Sequence, residues 1–277
     1  MAENLQNTEE NKEQDSQENP EAQGETSASE PISLTDALSG VFTEPGETFT
    51  SVKSSPKKNY WLIPILILIL VAIVTRYLVT SDEEIYSEIK TKQTEAVKKR
   101  LDEAVKDGKM SQEDANSRLE QMDKQFSKSG PFFWISIILG PIIFIFLFLF
   151  LKGLVFWGGL KIFKSPVAYM QVIAVLGLAS IIESIQAIID TVLAIMTGRI
   201  TANIGPILLF AKDSLSDKMS ILLAHFDLLN IWYYIIIGIG FAAVGNLKSK
   251  QTIPYVFVLW LIWVCLTSFL NLPFMGG

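Results

Sequence analysis

FFWISIILGPIIFIFLFLFL, running from Phe132 to Leu151, is twenty residues long and carries no charged side chain. At ~1.5 Å per residue a helix of that length spans ~30 Å, the thickness of a bilayer's hydrocarbon core. It is apolar on all sides and so has no face to offer water. Four more stretches are long and predominantly apolar, at about Trp61 to Val79, Pro166 to Ala194, Leu228 to Val244 and Ile253 to Asn271, the first interrupted by Arg76 and the second by Glu183 and Asp190. The expected fold is therefore all-α: a polytopic membrane protein with five transmembrane helices, interfacial N-terminal helices and an extramembrane helical hairpin.

The whole-chain averages hide a sharp partition. Residues 1–31 hold nine acidic side chains against Lys12 alone, a net of −8, whereas the whole chain carries −6. The remainder is thus at +2, and the sequence pI of about 5.0 describes a tail. Nothing in that balance calls for nucleic acid as a partner. The tail is too poor in large apolar residues to offset its chain entropy and is expected to be disordered. It also lacks the apolar core of a cleaved signal, so the first span is expected to serve as an uncleaved anchor. Cys265 is the only cysteine and lies in an apolar stretch, which excludes an intramolecular disulfide and a cysteine-based metal cluster.

The remaining segments divide at 32–59, 60–79, 80–130 and 131–272. In the first of these, Leu34, Leu38, Val41 and Phe42 recur at helical spacing, Pro45 restarts the chain, and Phe49 and Val52 follow, as in amphipathic helices lying on a membrane surface. Lys53, Lys57 and Lys58 then precede Tyr60 and Trp61, the basic and aromatic pattern of a cytoplasmic span end. Residues 80–130 carry ten basic and twelve acidic side chains. Ser81 and Glu84 have capping-box spacing, and Ile85, Ile89, Val97, Leu101 and Ala104 share one side. Gly108 can stop that helix, and Ser111 with Asp114 can start another whose stripe is Ala115, Leu119, Met122 and Phe126. An antiparallel hairpin outside the membrane is expected, with a partner-binding coiled coil as the sharper alternative.

Two stretches carry a resemblance. LSGVFTEPGETFTSVKSSPKKNYWLIPIL, residues 38–66, places Phe42, Pro45, Phe49 and Pro56 ahead of the first span, and LLAHFDLLNIWYYIIIGIGFA, residues 222–242, places Asp227, Trp232 and Gly240 at the fourth. With the five-span layout, these resemble the Yip family of Ypt/Rab-interacting membrane proteins, in its bacterial branch. The resemblance covers 34–272 apart from the charged insert. It implies a five-helix membrane domain with a cytoplasmic N-terminus and a generic adaptor role. No enzymatic activity and no cofactor are implied.

Inside the membrane, Glu183, Gln186 and Asp190 share a half-turn of the third span with Gly177, Ser180, Ser184 and Ala187, opposite an arc of isoleucines. Small and polar residues on one side suit contact with protein, since a carboxylate in a bilayer needs a partner or water. A structural polar seam is the plainer reading, and an ion or proton pathway is the alternative. Counting depth from Trp61 and from Pro166 places Arg76 level with Glu183 and makes them candidate partners. Lys152, counted from Phe132, is placed at the inner surface, where snorkelling suffices to explain it. His225, Asp227 and Asp190 fall at one outer level, but no metal-ligating set is assigned to them and no catalytic residue is named.

The expected function is a non-enzymatic scaffold or adaptor acting on the lipid bilayer and on unidentified protein partners, a homo-oligomer among them. A small transporter or ion-translocating protein using the span-three carboxylates is the alternative. The expected place is a cell (cytoplasmic, inner) membrane, because seven basic residues flank the spans on the N-terminal side against Arg199, Lys212 and Lys218 in the long loop opposite. Ser117→Cys and Ser249→Cys, made one at a time in a Cys265→Ala background, are expected to differ in labelling by an impermeant maleimide on intact cells. Only the first should react, and reaction of Ser249→Cys alone would invert the topology.

Overall fold

A computed structural model describes residues 32–269, except 55, 126, 129 and 213. The tail at 1–31, Phe126 and the last residues from 270 on, including the end of the fifth predicted span, lie outside the described residues. Among the described residues ten α-helices follow in order: α1 (Leu34–Thr43), α2 (Pro45–Ser54), α3 (Asn59–Ser81), α4 (Glu83–Lys106), α5 (Gln112–Gln125), α6 (Pro131–Ile162), α7 (Tyr169–Thr197), α8 (Asp217–Ala224), α9 (Leu228–Gly245) and α10 (Ser249–Phe269). Five of them, α3, α6, α7, α9 and α10, are long and apolar enough to cross a membrane. This is a multi-pass membrane protein. The face at which α3 begins is called the near face below, and the opposite one the far face.

α7 is the central element. Its first half is buried on every side, from Val172 to Ser180. α3, α6 and α9 pack against it, and α10 packs on α9. The backbones of α3 and α7 come close at Gly177, where an added Cβ would stand 2.5 Å from Trp61 Cα and 3.0 Å from its carbonyl oxygen. Without water, apolar surface gives helices no reason to associate, so such close contacts supply the attraction. The outer arc of α7 behaves oppositely: Ile185, Ile188, Val192 and Ile195 are exposed, as a lipid-facing side should be.

Helix lengths set the depth scale. α6 has 32 residues and α7 has 29, so they run ~48 Å and ~43 Å, well past a ~30 Å hydrocarbon layer. Aromatic pairs mark the two interfaces, with Tyr77 stacked on Trp134 at the far side and Trp157 edge-on to Tyr169 at the near side. α7 starts three residues later than the sequence suggests, at Tyr169, because Gln171 accepts a hydrogen bond from the Ala168 amide at the helix mouth.

α1 and α2 do not simply lie on a membrane surface. They pack against the near ends of α7 and α9, burying Ala37, Val41, Phe49 and Val52. Phe49 enters the space left by Gly240, whose missing Cβ would sit 3.0 Å from the ring. Lys53 donates to Ala243 O and to Asn246 Oδ1 and so caps the C-terminus of α9, where carbonyls lack intrahelical partners.

On the far side α4 and α5 form an antiparallel hairpin, with Lys90 2.6 Å from Asp123 and Lys128 2.9 Å from Glu83. Ser111 caps α5 as its spacing predicts, but α4 is capped by Asp82, whose side chain accepts from the Ile85 amide, since α3 continues through Ser81. Ile85 is fully buried against Ala194 and Ala202, and Lys212 bridges Glu84 and Glu88 at 3.0 and 3.4 Å. The hairpin is therefore fastened to the far end of α7 and to the loop after it. Gly177→Ala is expected to lower stability in detergent by about 1–3 kcal/mol through overpacking against the Trp61 backbone. Gly140→Ala, where nothing lies within 4 Å of an added Cβ, should leave the thermal midpoint unchanged.

Candidate functional site

A line of polar side chains crosses the membrane region between α6, α7 and α9. Glu183 is the middle residue of α7, so wherever the bilayer sits along this helix the carboxylate lies in hydrocarbon. Its partner is Lys152 of α6, with Nζ 3.4 Å from Oε1. Lys152 Nζ also lies 5.6 Å from the centroid of the Tyr233 ring, and Tyr234 closes the group from the next position of α9. The ammonium thus meets a carboxylate and a π face, and each offsets part of its desolvation.

The Arg76–Glu183 pairing is not what forms. Arg76 is exposed on α3, and no ion pair among the described residues includes it. The depth count failed at Lys152. Counting from Phe132 treats the far end of α6 as flush with the membrane, but a ~48 Å helix overshoots a ~30 Å core. Lys152 lies ~15 Å above the near end of α6 and reaches inward to Glu183 instead of snorkelling to headgroups.

Toward the far face Gln186 and Asp190 follow along α7, and Asp227 stands at the start of α9. Asp227 is fully buried and caps α9, accepting from the amides of Leu229 and Asn230 at 2.8 and 3.0 Å. That cap fixes where the fourth span starts. His225 does not join the carboxylates: its Nε2 is 2.9 Å from Thr267 Oγ1, and burial holds its pKa below the usual histidine value.

The model of the Yip1 domain family matches residues 39–270. The chain belongs to the Yip1 domain family. Comparison with curated proteins and with solved structures returned no match. The family-like positions fall into distinct places in this Yip1 domain. Phe49 packs on Gly240 and Asp227 caps α9, so these three hold buried junctions. Pro45 opens α2, where its missing N–H costs nothing, and Pro56 separates α2 from α3. Phe42 and Trp232 are more than one-third exposed.

Tyr233 escaped the sequence reading. It sits in an apolar run, where an aromatic residue reads as core, and its role follows only from the position of Lys152. The Lys152–Glu183 pair generates a test. Lys152→Met and Glu183→Gln are each expected to destabilise the domain, because each strands one charge or dipole, and the double variant should recover part of the loss. A double-mutant cycle on thermal unfolding in detergent is expected to give a coupling of about 1–3 kcal/mol, and zero coupling would leave the two groups energetically independent.

Proposed function

We propose that this Yip1-domain chain is a non-enzymatic membrane scaffold that offers two fixed platforms to partner proteins, one on each face of the bilayer. The observation that carries the reading is how the extramembrane parts are attached. The α1–α2 cap is fastened to α9 by Phe49 in the Gly240 notch and by Lys53 at the helix end. The α4–α5 hairpin is fastened by Ile85 and by Lys212 between two glutamates. A tether would need none of this burial, whereas a platform has to hold its outward residues at fixed spacing. The lysine bias supports a near face and cap in the cytoplasm and a hairpin outside, as in a cell membrane protein with its C-terminus extracytoplasmic.

The transport alternative draws on a free carboxylate in the third span. Glu183 supports it poorly, because the facing ammonium of Lys152 already balances its charge. An enzyme needs a nucleophile beside a base, but His225 is committed to Thr267 and Cys265 is exposed on the span surface. The partners expected are proteins, with a second copy of the chain included. Photo-crosslinking in native membranes from probes placed in 32–58 and in α4–α5, followed by mass spectrometry, should return a small, repeatable set of protein adducts from each face. Adducts with lipid alone, together with ion flux in proteoliposomes that Glu183→Gln abolishes, would replace the scaffold by the transporter.

A further inference from the structure

Three segments at the near face carry an unbalanced charge. Residues 53–58, 161–168 and 246–252 hold seven lysines and no acidic side chain. Hydrogen bonds draw them together around the C-terminus of α9. Lys53 donates to Ala243 O at 3.3 Å and to Asn246 Oδ1, Ser165 Oγ donates to Gly245 O at 2.8 Å, and Lys161 donates to Ser165 O at 3.2 Å. Lys53 and Lys161 are engaged in these bonds. Lys57, Lys58, Lys164, Lys248 and Lys250 are exposed, and no ion pair or hydrogen bond among the described residues uses their ammonium groups. The acidic side chains of the neighbouring cap are Asp36, Glu44 and Glu47, and Asp36 is taken by Ser33, whose Oγ is 2.6 Å from its Oδ2. Positive charge therefore stays in excess on this face.

The acidic counterpart enters at the same place. The Tyr60 hydroxyl donates to Ile32 O at 2.7 Å, and the Lys57 ammonium lies 5.9 Å from the Tyr60 ring centroid, so residues 1–31 join the described structure beside Lys57. They carry nine acidic side chains and one lysine. A chain spans at most about 3.5 Å per residue, so Glu30 stays within about 7 Å of Ile32, whereas Glu18 can reach about 50 Å from it. The near ends of five helices packed at about 8–10 Å cover less than that. Every exposed lysine of the rim is thus within reach of a tail carboxylate. Lysines beside spans serve orientation, but orientation gives no reason for an acidic segment to begin against them. A single exposed ion pair is weak and screened by salt. Tethering changes the balance, since a segment attached at the edge of its own site acts at an effective concentration on the order of millimolar. We propose that residues 1–31 form an acidic strap that rests by charge on Lys57, Lys58, Lys164, Lys248 and Lys250 and keeps these lysines from other anionic surfaces. The strap is an arrangement within one chain and stands whether or not the near face receives partners. That it masks a platform rests on the scaffold reading.

The test uses the full chain in nanodiscs of phosphatidylcholine, whose headgroups carry no net charge. A carbodiimide joins a carboxylate to an amine only when the two touch. It is expected to link tail glutamates to the five rim lysines of the same chain, and to leave exposed Lys99 on the far-face hairpin unlinked. The adducts should fall about threefold or more in 1 M salt, where the Debye length is about 3 Å. A full-length variant carrying Glu18→Gln, Glu21→Gln, Glu25→Gln and Glu30→Gln alters no residue of the membrane domain. Acetylation of its rim lysines by an activated ester should run about threefold or more faster than in the parent at low salt, with Lys99 reacting at the same rate in both. The proposal falls if tail adducts reach Lys99 as often as the rim, if mixed isotope-labelled and unlabelled chains give mainly between-chain adducts, or if the variant's rim lysines react at the parent rate. It falls also if phosphatidylglycerol in the nanodisc abolishes the adducts, because headgroups would then hold the rim. Partner adducts from 32–58 in native membranes are a separate readout, so either the strap or the scaffold can fail while the other stands.

Discussion

A charge in hydrocarbon has to find its opposite within the same protein, and that requirement organises the middle of this domain. Lys152 and Glu183 come from helices running in opposite directions, and their meeting fixes how far α6 slides along α7. Apolar helix faces alone would tolerate many such slides, because lipid tails and leucines attract one another about equally well. A single ion pair backed by a tyrosine ring selects one. Gly177 against Trp61 does the corresponding job for α3, by shape rather than by charge.

The same economy governs the termini of the helices. Spans need their terminal amides and carbonyls satisfied where water is scarce, and in α9 one satisfying group is local and the other comes from a distant segment. Asp227 serves the start of α9, while Lys53 serves its end from across the chain. The pieces outside the membrane are thereby joined to helix termini instead of floating beside them. The cap and the hairpin inherit the rigidity of the bundle.

Much of this was legible in the residues. Five spans follow from predominantly apolar stretches of the right length, and α1 and α2 follow from helical spacing broken at Pro45. What periodicity could not supply was depth. Arg76 and Glu183 stand at similar counted heights, but the count assumes that each helix begins at the membrane surface, and α6 and α7 both exceed the bilayer by more than 10 Å. Lys152, placed by the same ruler, was assigned to headgroups although it is the true counter-ion. Glu183, Gln186 and Asp190 were recognisable as one side of a helix because small residues accompany them.

The bond from Lys53 to Ala243 joins residues 190 positions apart. During synthesis the second helix is finished long before its binding notch exists, since Gly240 and the end of α9 are still to be made. At about 5–20 residues per second the wait is roughly 10–40 seconds. Throughout that interval Phe49 and Val52 have no protein to cover them, and the membrane surface is the apolar shelter at hand. Closure of the N-terminal cap thus records that the fourth span has been inserted, and a chain cut short before Gly240 would leave the cap's apolar face open to chaperones and proteases.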